Sequence, residues 1–130
     1  RLEGDDLSDG YFISPAVFTE VDPETRLFQE EIFGPVLAVT EVEDFDEGVE
    51  VANDSQYGLS ASIITNDLEE AHAFVDQSEC GVIKINEKTT GLDLHVPFGG
   101  VKDSSTNTHR EQGDAGMDFF TQTKTVYLNT

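Results

Sequence analysis

The hydrophobic positions change their period along the chain, and the changes mark out the elements. Val36-Leu37-Ala38-Val39 is an unbroken aliphatic run, and it predicts a buried strand over Pro35–Val42. Asp44 and Glu47, three residues apart, read as a capping box opening a helix. Phe45, Val49 and Ala52 then fall at i, i+4 and i+7 on one face. Asn53-Asp54-Ser55-Gln56-Tyr57-Gly58 closes that helix, and Leu59–Thr65 returns to strand. A second box, Asn66 with Glu69, opens a helix that sets Leu68, Ala71, Phe74 and Val75 on one face. Gly81-Val82-Ile83-Lys84-Ile85-Asn86 is the next strand. Strand, helix, strand, helix, strand at regular spacing predicts an α/β fold, a parallel sheet with right-handed crossover helices.

The flanks differ in kind. Asp9-Gly10 reads as a turn and Tyr11–Val21 as an extended segment, which Pro15 confines to a sheet edge or a bulge. Val21-Asp22-Pro23-Glu24-Thr25-Arg26 is a turn. Asn86–Ser105 is rich in Gly, Thr and Pro and reads as a long loop, and long loops in compact domains are often functional. Arg110–Phe120 is expected to be helical. Thr121–Asn129 alternates with β-branched residues and predicts a terminal strand. No partner follows it in sequence, so Thr125 and Val126 are expected to pair across a subunit interface.

Charge narrows the partners. The 130 residues carry 27 acids against seven basic residues, a formal net charge of −20. Nucleic acid and anionic membrane are therefore excluded as partners, because each encounter is repulsive. The acids run through the whole length among 37% hydrophobic residues, which describes a folded domain with an acidic coat rather than an acidic tail. Molar salt shortens the screening length to ~3 Å and quenches such self-repulsion. Acid excess and scarcity of lysine thus predict a salt-adapted protein from a halophile's cytoplasm, with an ordinary acidic protein as the alternative. The N-terminal Arg1-Leu2-Glu3-Gly4-Asp5-Asp6 has no apolar core of a signal peptide, and no apolar run is long enough to span a bilayer. Cys80 is alone, which excludes an intrachain disulfide, and no local base accompanies it. It reads as a small buried structural thiol.

Candidate chemistry concentrates at Gln29-Glu30-Glu31-Ile32-Phe33-Gly34-Pro35-Val36. Two carboxylates and an aromatic stand against the start of a strand, held by Gly-Pro. That layout offers acceptors for hydroxyl donors beside a flat apolar face. Pro97-Phe98-Gly99-Gly100 pairs an aromatic wall with two glycines that let backbone approach a ligand. Asn86 ends a strand, where ligands collect in parallel sheets. His72, His95 and His109 share no ligand spacing, so no metal is assigned.

Four phrases in order, Glu30–Val36, Ala52–Ala61, Gly81–Asn86 and Pro97–Lys102 with Ser104-Ser105 and Arg110-Glu111, resemble the C-terminal part of the catalytic domain in the aldehyde dehydrogenase superfamily. The resemblance implies that Glu31 accepts hydrogen bonds from the nicotinamide-ribose hydroxyls of NAD or NADP and that Phe33 packs by the nicotinamide. It implies Phe98 facing the aldehyde and Arg110 with Glu111 bracing this region against a neighbouring subunit; Asn86 is expected on the substrate side from its place at the strand end alone. Residues 1–120 then form part of the catalytic domain and 121–130 an oligomerisation strand of a dimer or tetramer. Lys88–Phe98 and Arg110-Glu111-Gln112-Gly113 look most like the 2,5-dioxopentanoate (α-ketoglutarate semialdehyde) dehydrogenases. The family's nucleophilic cysteine, general-base glutamate, oxyanion asparagine and Rossmann half have no counterparts here, and Cys80 does not match the nucleophile motif. No catalytic residue is therefore assigned, and the chain is expected to be inactive without the missing N-terminal part of the same enzyme. A non-catalytic oligomerisation module and a small-molecule binder are the alternatives.

Overall fold

A computed structural model describes residue 7 and residues 10–105 and 110–130. The chain divides into two compact units, residues 1–55 and 56–130.

In the first unit, β1 (Ala16–Phe18) runs parallel to β2 (Val36–Ala38), with Ala16 opposite Val36 and Phe18 opposite Ala38. The ladder is extended by Val39 N–H donating to Phe18 C=O (2.8 Å) and Val21 N–H donating to Val39 C=O (3.1 Å). β1 begins directly after Pro15 and pairs on one side only among the described residues, as a proline-flanked edge strand should. The Asp22 turn forms as expected, with Thr25 N–H on Asp22 C=O at 3.0 Å. It leads into a four-residue helix, α1 (Arg26–Gln29), which is too short for periodicity to reveal. The helix α2 (Phe45–Asn53) is capped by Asp44, whose carboxylate accepts from Glu47 N–H at 3.0 Å. The reciprocal bond of Glu47 goes to Glu43 N–H, one residue before the cap. Val49 is buried, Phe45 half-buried and Ala52 exposed.

In the second unit, β4 (Ser60–Ile63) and β5 (Val82–Ile85) are parallel neighbours joined by the helix α3 (Leu68–Gln77), a βαβ crossover. β3 (Tyr57–Gly58) pairs antiparallel with β6 (Val101–Lys102), a ladder that two-residue strands do not announce in sequence. The cap of α3 is Asp67 rather than Asn66: its carboxylate accepts from Glu69 N–H (2.7 Å) and Glu70 N–H (3.3 Å). Thr65 Oγ1 takes Asp67 N–H and donates to Glu70, completing the turn one residue later than the spacing suggested. Ala71 and Phe74 are buried, whereas Leu68 is 71% and Val75 44% exposed. Seven residues apart, those two share a stripe, and that stripe stays open. The helix α4 (Gly113–Phe119) follows, shorter than expected, and residues 121–130 are exposed and join no ladder among the described residues. The α/β class with parallel strands is therefore borne out, as three two-stranded ladders among the described residues, one of them antiparallel.

Candidate functional site

The corner after α1 is built by local bonds. The Arg26 guanidinium forks onto Glu30, Nε to Oε1 at 2.8 Å and Nη2 to Oε2 at 2.7 Å. Those hydrogen bonds hold the Glu30 carboxyl below the usual carboxylate range and raise Arg26 in turn. Gln29 Nε2 donates to Pro23 C=O (3.0 Å) and Asp54 C=O (2.8 Å), tying α1 to the turn before it and to the end of α2. The two carboxylates that looked alike in sequence thus differ. Glu30 is spent on Arg26; Glu31 is exposed and has no hydrogen bond or ion pair among the described residues.

Two successive γ-turns then shape the backbone: Gly34 N–H donates to Ile32 C=O (2.7 Å) and Val36 N–H to Gly34 C=O (2.8 Å). Ala16 N–H on Pro35 C=O at 2.9 Å pins the far end to β1. Phe33, at the centre of the first turn, is 97% exposed, and a Cβ built on Gly34 meets nothing within 4 Å. An unpartnered carboxylate, a bare ring and open backbone fit a ligand that carries vicinal hydroxyls next to a flat ring.

The second unit builds a different surface around the loop after β5. Asn86 ends the strand in the left-handed region (φ 56°), which asparagine tolerates. Its Oδ1 accepts from Thr65 N–H at 3.0 Å and its N–H donates to Ile63 C=O at 2.8 Å, so it knits the ends of β4 and β5. Beyond it a concavity of about 630 Å³ is lined by Val82, Lys84, Lys88, Thr90, Leu92 and Val96, among others. Phe98 is half-buried at the other end of the loop and exchanges both backbone bonds with Glu111, each 2.6 Å. Asn86 and Phe98 flank this concavity in sequence, but neither lines it.

Arg110 donates through Nη1 to the carbonyls of Gly99 and Gly100, the latter at 2.6 Å. Glycine is required around this clamp. A Cβ on Gly81 would run into the Gly99 carbonyl and into Arg110 Nη1, and one on Gly100 would meet Ser104 C=O at 2.6 Å. Arg110 and Glu111, expected at a subunit contact, are thus bound to the Phe98 loop of their own chain. Thr125 and Val126 lie exposed in the C-terminal segment.

Cys80 is half-buried rather than buried, just before β5. His72 and His95 are exposed, and His109 lies outside the described residues. Among the described residues no three His, Cys, Asp or Glu side chains group as metal ligands, and no helix is long and apolar enough to cross a membrane. Sequence reasoning passed over Arg26 and Lys84. The i, i+4 spacing of Arg26 and Glu30 was a legible signal; the reach of Lys84 to main-chain carbonyls six and seven residues on was not.

Residues 2–126 match the aldehyde dehydrogenase family. The chain belongs to that family. It is 65% identical over 125 residues to the α-ketoglutarate semialdehyde dehydrogenase of Haloferax volcanii, covering 96% of this chain and 26% of that protein. To the 2,5-dioxopentanoate dehydrogenase of Saccharolobus solfataricus it is 47% identical over 118 residues, 91% of this chain and 25% of the other. Its fold matches the crystal structure of betaine aldehyde dehydrogenase from Staphylococcus aureus in complex with NAD+, with a TM-score of 0.87 and 36% identity over 92% of this chain and 23% of that one. The four phrases thus led to the right family, and relatives at 65% and 47% identity carry the names of the branch that residues 88–98 and 110–113 resemble. The chain spans about a quarter of the length of these aldehyde dehydrogenases.

Proposed function

We propose that the chain is a C-terminal segment of an NAD(P)-dependent aldehyde dehydrogenase that oxidises 2,5-dioxopentanoate to the corresponding acid. The observation that carries this reading is the Glu31–Phe33 corner, an unpartnered carboxylate beside a bare ring, in a chain of this family. Glu31 would accept from the two nicotinamide-ribose hydroxyls, since a carboxylate is the natural acceptor for a vicinal diol. Phe33 would offer its face to the nicotinamide ring. NAD or NADP, when bound, supplies the hydride acceptor.

On the second unit, Phe98 and Asn86 stand on the substrate side, with the loop between them shaping the approach of the aldehyde. No side chain here is assigned as nucleophile. The thiolate that attacks the aldehyde, the base that activates water and the opposite wall of the cofactor site belong to the remainder of the enzyme, so the 130 residues alone are inactive in this reading. Residues 1–120 form the catalytic-domain part, and 121–130 form a strand that pairs in a homodimer or homotetramer through Thr125 and Val126, with Arg110 and Glu111 near the same contact. The identity to a Haloferax enzyme and the net charge of −20 support a halophile's cytoplasm as its place of work.

The test is turnover. The full reading frame carrying this chain, produced and assayed in molar KCl, should reduce NAD+ or NADP+ when given 2,5-dioxopentanoate. An intact protein that binds neither dinucleotide and oxidises no aldehyde contradicts the reading and favours a non-catalytic oligomerisation or small-molecule-binding module.

A further inference from the structure

Seven basic residues face 27 acids in this chain, so each cation has carboxylates to choose from. Arg26 pairs with Glu30 and Lys102 with Glu79, both within 2.7 Å. Lys84 and Arg110 make a different choice. Lys84 Nζ donates to the carbonyls of Thr90 (3.2 Å) and Gly91, while the Glu87 carboxylate stands off at 3.7 Å. Arg110 donates to the carbonyls of Gly99 and Gly100. The Lys84 side chain is 16% exposed but reaches carbonyls at the surface, whereas Arg110 and its bonds are half-buried, so the Arg110 bonds are partly shielded from water and salt.

A cation on a side-chain carboxylate fixes two flexible groups to each other; a cation on a carbonyl fixes the main chain itself. The four carbonyls belong to one loop, two at Thr90-Gly91 and two at Gly99-Gly100, and Phe98 lies between the pairs. Phe98 is further held by its two backbone bonds with Glu111, the residue next to Arg110. The absence of a Cβ on Gly81 gives the Arg110 head its room, because a Cβ there would stand 2.7 Å from Nη1.

We propose that Lys84 and Arg110 are positioning residues that clamp the two ends of the Thr90–Gly100 loop and so set where Phe98 meets the aldehyde. This rests on the reading of Phe98 as a substrate-side residue. The clamp acts on aldehyde recognition, and dinucleotide binding, which the proposed function assigns to Glu31, serves as its control.

The experiment uses the intact enzyme and the variants Arg110→Met, Arg110→Lys and Lys84→Met, assayed in molar KCl. Arg110→Met and Lys84→Met should each raise the aldehyde KM about tenfold, a loop-misplacement effect well short of the roughly hundredfold that an ångström can cost. The KM for the dinucleotide should stay within twofold, and Arg110→Lys should recover part of the loss, since it keeps one cationic donor. An aldehyde KM unchanged in both Met variants, or a dinucleotide KM that rises in step with it, overturns the proposal. If Arg110→Met does not fold, Lys84→Met and Arg110→Lys are read against the same limits.

Limited chymotrypsin digestion provides a readout that needs no activity. Cleavage after Leu92 or Leu94 should be several-fold faster in the variants; equal rates count against the clamp. A wild-type enzyme that oxidises no aldehyde removes the functional reading, and the digestion still decides the clamp.

Discussion

Glu30 and Glu31 are chemically identical neighbours with opposite employment. Arg26 lies one helical turn before Glu30 and takes both of its oxygens, which leaves Glu31 facing solvent. The consequence is measurable on Glu30. Its carboxyl should titrate below the ordinary carboxylate range in a pH series followed by NMR, and Arg26→Gln should return it to that range. Because the folded value is lowered, whatever the pair contributes to stability is present above the ordinary carboxylate pKa and is lost as pH falls through the lowered one. Both groups are exposed, so molar salt should shrink the shift as well. A Glu30 midpoint that ignores both Arg26 and salt contradicts this account. The family phrase pointed to Glu31 from sequence alone. The spacing of Arg26 and Glu30 hinted at why its neighbour is unavailable, but the four-residue helix that brings the pair together is too short to show a period.

Elements were legible where a period or a cap announced them. The Asp44 cap and the β4-α3-β5 crossover follow from local patterns, whereas the run Val36–Val39 gives a strand of three residues, Val36–Ala38, that is not buried as expected: Leu37 is 58% and Val39 37% exposed. Three things escaped for physical reasons. The Thr65 hydroxyl shifts the α3 cap to Asp67 by competing for the first turn, and the β3–β6 ladder joins residues 43 or more apart in sequence through two-residue strands. The third is Arg110, whose target is a pair of carbonyls, and any residue has a carbonyl.

Glycine placement was visible in sequence but its reason was not. Gly81 sits where a methyl group would strike the Gly99 carbonyl and Arg110, whereas Gly34 has open space. Gly81→Ala should therefore destabilise the folded protein by about 1–3 kcal/mol, the usual cost of overpacking. Gly34→Ala, as a control, should lie within about 0.5 kcal/mol, as open surface sites do. Chemical denaturation of the intact enzyme compares the two; equal stabilities would show that the Gly81 contact has room to give.

At the scale of the whole chain, charge and apolar exposure describe an acidic segment that leaves much hydrophobic surface uncovered by its own residues. Tyr11, Phe33, Phe120, Tyr127 and Leu128 are all more than four-fifths exposed, and only Val21, Val49, Ala71 and Phe74 are buried apolar side chains among the described residues. Exposed apolar surface of this kind fits contact with further protein, as the proposed function requires. The net charge of −20 adds a condition. Raising KCl from low to molar concentration should raise the melting temperature of the intact protein, because screening removes self-repulsion that the native state suffers more than the unfolded one. A melting temperature that stays flat or falls argues against salt adaptation. The central claim is that this chain supplies the ribose-binding wall of a dinucleotide site, and one measurement reaches it most directly: the KM for NAD+ or NADP+ of the intact enzyme against its Glu31→Gln variant. Weakening two charge-assisted hydrogen bonds should cost about 1.4–3 kcal/mol, which is roughly a tenfold to hundredfold rise in cofactor KM, with the aldehyde KM within about twofold. A folded Glu31→Gln enzyme whose cofactor KM equals that of the wild type would contradict the account.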